Sequence, residues 1–283
     1  MRSFLFVPGD STRKFESARK TAADCLILDL EDSVAPDQKA GARAIVREML
    51  NAREDRQKIY IRVNALDTGL TLADLAAVVP GKPDGIILPK CEGGADIDKL
   101  SLYLDAFEAA HGIENGHIRI IPVATETAMA VLKLDTFAGA SRRLWGLTWG
   151  GEDLSAALGA TRNRTDGKFH SPYLLARDLC LIGAVAAGVV PIDTIYADID
   201  NLEGLKEEAI AARRDGFLGK MVIHPKHIDV VNAAFTPSDE EIAHAKKIVE
   251  AFEQNPTAGV VRIDGKMVDK PHLRAAQKVL GLG

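Results

Sequence analysis

Apolar residues along the chain gather into eight short runs. Each run gives way to a polar or charged residue and then to a stretch with helical periodicity. The runs are Ser3–Val7, Cys25–Leu30, Ile59–Val63, Gly85–Leu88, Ile118–Val123, Leu144–Thr148, Thr194–Ala197 and Lys220–Ile223. Continuous rather than alternating apolar character is expected of strands covered on both faces, as in a parallel sheet. The spacing predicts helices at 11–22, 36–51, 72–78, 96–110, 128–137, 154–158, 172–187, 202–215 and 226–234. Eight strand–helix units over about 250 residues are what a closed (β/α)8, or TIM, barrel requires, and that fold builds its site at the carboxyl ends of the strands. Those ends carry Pro8-Gly9-Asp10, Glu31-Asp32, Asn64, Lys90, Glu126, Glu152-Asp153, Asp198 and His224.

The pattern changes after residue 235. Residues 1–235 are expected to form the barrel, and 236–283 a carboxyl-terminal helical extension. Ser238 followed by Glu241 is a capping-box pattern, which opens a helix at Asp239–Glu253. Residues 259–265 read as a small strand and turn, and Pro271–Leu280 as a final helix. Such an extension caps the barrel or acts as a lid, reaching in the second case toward a neighbouring subunit.

Composition narrows the class. With 35 Lys plus Arg against 40 Asp plus Glu, the net charge of −5 lacks the basic footprint of a nucleic-acid binder. Small anions could still meet local Arg or Lys. Cys25, Cys91 and Cys180 show neither metal spacing nor CxxC, which suits a reducing cytosol. The first apolar run is too short for a signal peptide. The longest apolar stretch, Leu179 to Ile192, falls short of the roughly 20 residues a membrane span needs. The default address is cytoplasmic, with no membrane partner.

Glu126 and Asp153 are the best candidate metal pair. Two carboxylates from neighbouring strand ends can hold Mg²⁺ and leave positions for water and substrate oxygens. The competing reading makes Asp153 a helix cap and pairs Glu126 with a core lysine. Arg62 alternates within an apolar strand and so points into the barrel. Its fork suits a carboxylate, supplied either by Asp29, Glu31 or Asp32 or by a keto-acid substrate. Lys90 reads as an ion-pair partner and His224 as a hydrogen-bonded loop anchor. No HExxH, GxGxxG or GxxxxGK[ST] pattern occurs, so zinc, dinucleotide and P-loop readings fail.

Taken in order, several motifs are more specific than any alone: Arg2-Ser-Phe-Leu-Phe-Val-Pro-Gly9, Leu28-Asp-Leu-Glu-Asp-Ser-Val34, Ile61-Arg-Val-Asn64, Leu88-Pro-Lys90, Glu126-Thr-Ala128, Gly150-Gly-Glu-Asp-Leu154, Gly219-Lys-Met-Val-Ile-His-Pro225 and Asp264-Gly-Lys-Met-Val-Asp269. Over nearly its whole length the chain resembles the citrate lyase beta-subunit-like branch of the HpcH/HpaI aldolase superfamily. The resemblance implies a Mg²⁺-dependent (β/α)8 enzyme, assembled as a homotrimer or homohexamer. Its reaction makes or breaks a carbon–carbon bond between a CoA thioester and an α-keto acid, with citryl-, malyl- or citramalyl-CoA as substrate types.

The same resemblance implies Glu126 and Asp153 as Mg²⁺ ligands, Glu126 also bordering substrate. It makes Arg62 the contact to the keto-acid carboxylate. Asp269 becomes an acid/base, often donated across a subunit boundary. Phe6, Arg13 and the Met221-Val222 pair would lie along the CoA path; relatives that use CoA often carry Tyr at Phe6 and Lys at Arg13. A malyl-CoA-type thioesterase and a carrier-dependent citrate lyase beta subunit are the alternatives. The Gly-Gly-Glu-Asp and Val-Ile-His-Pro segments look more like the stand-alone lyases.

Overall fold

In chain order the strands are β1 (Ser3–Pro8), β2 (Cys25–Asp29), β3 (Lys58–Arg62), β4 (Gly85–Leu88), β5 (Arg119–Pro122), β6 (Gly146–Thr148), a small antiparallel pair β7 (Arg164–Thr165) and β8 (Lys168–Phe169), then β9 (Val190–Asp193) and β10 (Gly219–Val222). The computed structural model describes residues 1–54, 56–165 and 167–282. It divides into two compact units, Met1–Phe235 and Thr236–Gly283.

In the first unit eight parallel strands pair in the order β5-β4-β3-β2-β1-β10-β9-β6. Parallel bridges Ile120↔Leu144 and Val123↔Thr148 bring β5 back to β6. The Ile120 N–H donates to Arg143 O and the Trp145 N–H to Ile120 O across that seam. The sheet is therefore a closed barrel. Helices follow the strands: α1 (Thr12–Ala18), α2 (Lys39–Asn51), α3 (Thr71–Val78), α4 (Gly94–Ala110), α5 (Ala128–Leu132), α6 (Glu152–Ala157), α7 (Ser171–Ala186), α8 (Leu202–Asp215) and α9 (Ile228–Phe235).

The period of two in a strand sorts side chains between two cores. Phe4, Cys25, Ile27, Tyr60, Ile87, Ile121, Ile192 and Met221 fill the barrel. Their neighbours Leu5, Leu26, Leu28, Ile59, Ile61, Ile86, Ile120 and Val222 pack outward against the helices. Asp29 lies two residues beyond Ile27, and Arg62 two beyond Tyr60. Both therefore face the interior at its carboxyl end.

The seventh barrel strand is a correction. The sequence pattern places it at Thr194–Ala197, but it runs from Val190 to Asp193, and 194–197 is irregular. Gly188, with φ +69, closes α7, and the chain enters the strand almost at once. Pro191 is tolerated near the strand's start: Val190 supplies the N–H to Trp145 O, and Pro191 only accepts, from Leu218 N–H. The strand end is consequently Asp193, not Asp198. The β7–β8 hairpin had no counterpart in the sequence reading.

The second unit has α10 (Asp239–Glu253), an antiparallel hairpin of β11 (Val260–Ile263) and β12 (Lys266–Asp269), and α11 (Lys270–Val279). Both halves of the Ser238–Glu241 capping box form. Ala245, Ile248, Phe252, Val268 and Ala276 make its own small core. Among the described residues no helix is long and apolar enough to cross a membrane.

Candidate active site

A cavity of about 450 Å³ opens at the carboxyl end of the barrel; Phe6, Arg62, Glu126, Thr148, Asp153 and Met221 are among its walls. Asp29 and Arg62 are register partners on β2 and β3, and this pairing sets the cavity's charge. Arg62 Nε donates to Asp29 Oδ1 and Nη2 to Oδ2, both at 2.7 Å. Its Nη1 lies 3.0 Å from Glu31 Oε2 and 3.6 Å from Asp32 Oδ2. The guanidinium also sits over Phe6, 4.8 Å from the ring centroid. Of the two roles open to Arg62 in the sequence, the internal ion pair is thus present, while the side chain still borders the cavity.

Burial alone would raise Asp29. Its bonds from Arg62, and from the backbone N–H groups of Glu31 and Ser33, hold it below its ordinary value. Glu31 goes the other way, because its burial outweighs the pull of Arg62 and Lys90. Its Oε2 accepts no well-aligned hydrogen bond although Arg62 is close, so the pair is held by charge more than by a directed bond.

Lys90 follows β4 in a left-handed conformation, φ +51, which costs energy for a residue with a Cβ. There its backbone N–H donates to Glu126 Oε2. Its Nζ lies 2.5 Å from Glu31 Oε1 and 3.7 Å from Asp153 Oδ1. Glu126, only 4 % exposed, is pushed up to about 8 by burial first, then by the charges of Asp153 and Glu31. Gly150 is what lets Glu126 lie so close to the next strand end: a Cβ there would stand 3.0 Å from Glu126 Cγ.

Asp153 sits in the first turn of α6, whose cap is Gly151. It is not the cap itself, and Glu126 accepts the Lys90 backbone N–H with the Lys90 ammonium as a nearby opposite charge. Two carboxylates at adjacent strand ends, one of them driven toward protonation chiefly by burial and further by the charge of the other, form an oxygen-only donor set suited to a hard divalent cation such as Mg²⁺. Among the described residues no three Asp, Glu, His or Cys side chains converge as a ready cluster. Such an ion would therefore complete its shell with water and substrate oxygens.

The remaining predicted residues scatter. Phe6 and Met221 line the cavity. Val222 is turned outward into the helix-facing core, 1 % exposed, because alternation sends it opposite Met221. Its side chain is therefore not on a path into the cavity. Arg13 is exposed on α1 and is not part of the cavity wall. His224 Nδ1 accepts the Lys226 N–H, the loop-anchor role expected. Asp269 is the cap of α11: its carboxylate accepts the His272 N–H and lies 2.5 Å from His272 Nδ1. The bond from His272 holds it below its ordinary value.

A buried cluster behind the cavity escaped the sequence reading. Lys220 is fully buried and lies 2.5 Å from Asp193 Oδ2, while Trp149 Nε1 donates to Asp193 Oδ1 at 2.7 Å. The available signal was a lysine inside an apolar run, the same one that singled out Arg62.

Comparison with known proteins agrees with this geometry. The family described as HpcH/HpaI aldolase/citrate lyase matches residues 2–225. Citrate lyase subunit beta of Escherichia coli strain K12 is 36% identical over 282 residues, covering 99% of this chain and 92% of that protein. The (3S)-malyl-CoA thioesterase of Cereibacter sphaeroides is 35% identical over 99% of this chain and 93% of its own. The mitochondrial citramalyl-CoA lyase of Rattus norvegicus is 32% identical, over 99% and 85% respectively. Among solved structures, the Mycobacterium tuberculosis protein CitE in complex with magnesium, acetoacetate and coenzyme A superposes with a TM-score of 0.80 at 32% identity, covering 99% of this chain and 97% of that one. With the family matched through all eight barrel strands and these relatives across nearly the full length, this chain belongs to the HpcH/HpaI aldolase/citrate lyase family.

Proposed function

We propose that the chain is a Mg²⁺-dependent carbon–carbon lyase acting on a 3-hydroxyacyl-CoA ester of the malyl, citramalyl or citryl type. Its products would be acetyl-CoA, or a close homologue, and an α-keto acid. The observation that carries this reading is the juxtaposition of Glu126 and Asp153 with Arg62 at one barrel mouth. The relatives named above support the substrate class. Their identities of 36%, 35% and 32% are too close together to select one ester.

The reaction is a retro-Claisen cleavage. Glu126 and Asp153 would hold the cation, which supplies Lewis-acid polarisation of the substrate hydroxyl oxygen, worth several kcal/mol. Arg62, fixed by Asp29, pairs with the substrate carboxylate and stabilises charge on the oxygen that becomes the keto group. Phe6 backs the guanidinium and keeps water from that side. As the hydroxyl gives up its proton to water the C–C bond breaks, its electron pair leaving with the CoA-side carbon as an enolate, which then takes up a proton to become the methyl group. Asp269, of its own chain or a neighbour's, is assigned the proton exchanged at the CoA methyl carbon.

We also expect a homotrimer or homohexamer, for which Leu175, Ile182 and Val185 on α7 offer exposed apolar surface. The three buried, unpaired cysteines suit a cytoplasmic address.

The test is a panel of malyl-, citramalyl- and citryl-CoA with Mg²⁺ and the purified chain alone. Glyoxylate, pyruvate or oxaloacetate appearing with the shorter acyl-CoA is the expected result. Free CoA with no keto acid would make it a thioesterase. Inactivity on every CoA ester, with activity restored by an acyl-carrier partner, would make it a citrate lyase beta subunit.

A further inference from the structure

The Asp193–Lys220 pair has no place in the chemistry just described, yet it is costly to build. Lys220 and Asp193 are register partners on β10 and β9. Met221 and Ile192 beside them face the barrel interior, so both charges point outward, into the layer normally filled by apolar contacts. Lys220 is 0% and Asp193 1% exposed. A buried ion pair of this kind seldom stabilises more than an apolar pair of the same size, so stability alone does not account for it.

Its contacts lead to the site. Asp193 accepts from Trp149 Nε1 at 2.7 Å with the oxygen that Lys220 does not take. Trp149 is followed directly by Gly150, Gly151, Glu152 and Asp153. The fixed indole forms the floor under Gly151: a Cβ at Gly151 would stand 3.3 Å from the Trp149 ring and 2.9 Å from Phe169. Gly151 is in turn the cap residue of α6, which carries Asp153 in its first turn.

The ring of contacts closes on itself. Trp149 packs on Phe169 at 4.9 Å, and Arg164 stacks on Phe169 at 3.5 Å. Arg164 binds Glu208 at 2.9 Å, and Glu208 binds Lys220 at 2.8 Å. Trp149 is thus held by Asp193 at its N–H and by Phe169 at its ring, and Arg164, Glu208 and Lys220 tie those two holders to each other.

We propose that Asp193, Lys220 and Trp149 are positioning residues that fix the Gly150–Asp153 turn, and with it the Asp153 carboxylate, for divalent-cation binding. This rests on the reading of Asp153 as a cation ligand. The pair is retained because its charge orients an indole N–H, which an apolar pair could not do.

The test is Mn²⁺ binding to the full-length protein, measured by the free-ion electron paramagnetic resonance signal, alongside thermal unfolding. Four proteins are compared: wild type, Asp153→Asn, Trp149→Phe, and the double variant Asp193→Leu/Lys220→Met. The phenylalanine deletes the N–H together with part of the fused ring that underlies Gly151, so it tests the indole as a whole, and the double variant, which leaves the indole in place, tests the charge that orients it. The double variant replaces the pair by apolar residues of similar size. Expected is Asp153-dependent binding in the wild type, weakened roughly 10-fold or more in Trp149→Phe and in the double variant, with the thermal midpoint of at least one of them unchanged or raised. Unaltered Mn²⁺ affinity in both would overturn the positioning role. Affinity that falls only in step with thermal stability would overturn it too and assign the cluster to folding. No Asp153-dependent binding in the wild type would overturn the ligand reading itself, and this inference with it.

Discussion

The two ends of the barrel hold buried clusters built from the same residue types, with opposite outcomes. Toward the amino ends of the strands, Arg143 donates to Glu108 through both Nη atoms, at 2.8 and 2.5 Å, and also to Asp105 and to Ile118 O at 3.1 Å. Glu108 accepts two further bonds, from the Gly116 and Ile118 N–H groups at 2.8 Å each. Every strong group there is satisfied by the protein. At the carboxyl ends, Arg62, Glu31, Lys90, Glu126 and Asp153 are as charged but less satisfied. Glu31 keeps an oxygen without a directed bond, Lys90 holds a strained backbone, and Glu126 is pushed toward protonation. Both ends bury charge, but of the two only the upper cluster leaves bonding capacity over, and that capacity is what a substrate or cation can use. This matches the division of TIM barrels into a catalytic top and a stabilising bottom.

The sharpest separation is at the top. Glu126→Gln and Asp153→Asn are each expected to lower lyase turnover by roughly 10³-fold, the loss of a several-kcal/mol Lewis-acid contribution. The thermal midpoint of the metal-free Glu126→Gln protein should not fall, because the change removes a carboxyl whose ionisation burial already opposes. Full wild-type turnover in excess chelator would end the reading of this pair.

At the bottom the expectation reverses. Arg143→Met leaves Glu108 buried without its cation and should cost about 3–5 kcal/mol of stability, with turnover per folded molecule unchanged. pH sharpens the same point. Burial alone would raise Glu108, but the Arg143 and backbone N–H bonds more than offset it and hold it below its ordinary value. A carboxyl with a depressed folded value stabilises above its unfolded pKa of about 4.3, and that stability is lost as pH falls through the folded value. The Arg143→Met protein should accordingly begin acid unfolding at a higher pH than the wild type. If its acid transition coincides with the wild type's, the lower cluster is not what titrates.

Arg62→Lys comes next. The charge survives but the two-pronged bond to Asp29 does not, and kcat/KM should fall by roughly 10²-fold, about what one preorganised donor supplies. An unchanged kcat/KM with lowered stability would move Arg62 to the structural class of Arg143.

What the sequence disclosed follows from the range of the signals. Glu126, Asp153 and Arg62 were legible because a charge in or just after an apolar run needs no knowledge of neighbours. Cys25–Asp29 and Gly85–Leu88 were legible as strands for the same reason. The seventh strand was not, since Gly188 and Pro191 carry the local marks of a turn and only the barrel's closure makes Val190–Asp193 a strand. The β7–β8 hairpin has strands of two residues each, too short to show any period. The Asp193–Lys220 pair depends on register between strands, which sequence spacing does not contain. Val222 was recoverable: once Met221 faces in, its neighbour must face out.

Asp269 tests whether unsatisfied bonding capacity is the right criterion. By that criterion it belongs with the lower cluster, since its carboxylate is engaged by the His272 N–H and ring and is held in its charged form. By the family resemblance it is an acid/base. Asp269→Ser separates the two, because serine serves about as well as aspartate at a helix cap, so α11 should persist and the thermal midpoint should barely move. If Asp269 exchanges the proton at the CoA methyl carbon, turnover should still drop by roughly 10²-fold or more. Mn²⁺ affinity should be retained, since it is not a proposed ligand. Hybrid oligomers of Asp269→Ser and Arg62→Ala chains should regain activity if the carboxylate is donated across a subunit boundary. Wild-type turnover in Asp269→Ser would instead leave Asp269 a cap and uphold the criterion. Lost turnover with an intact cap would show that a carboxylate satisfied in one state of the chain can be released to act in another.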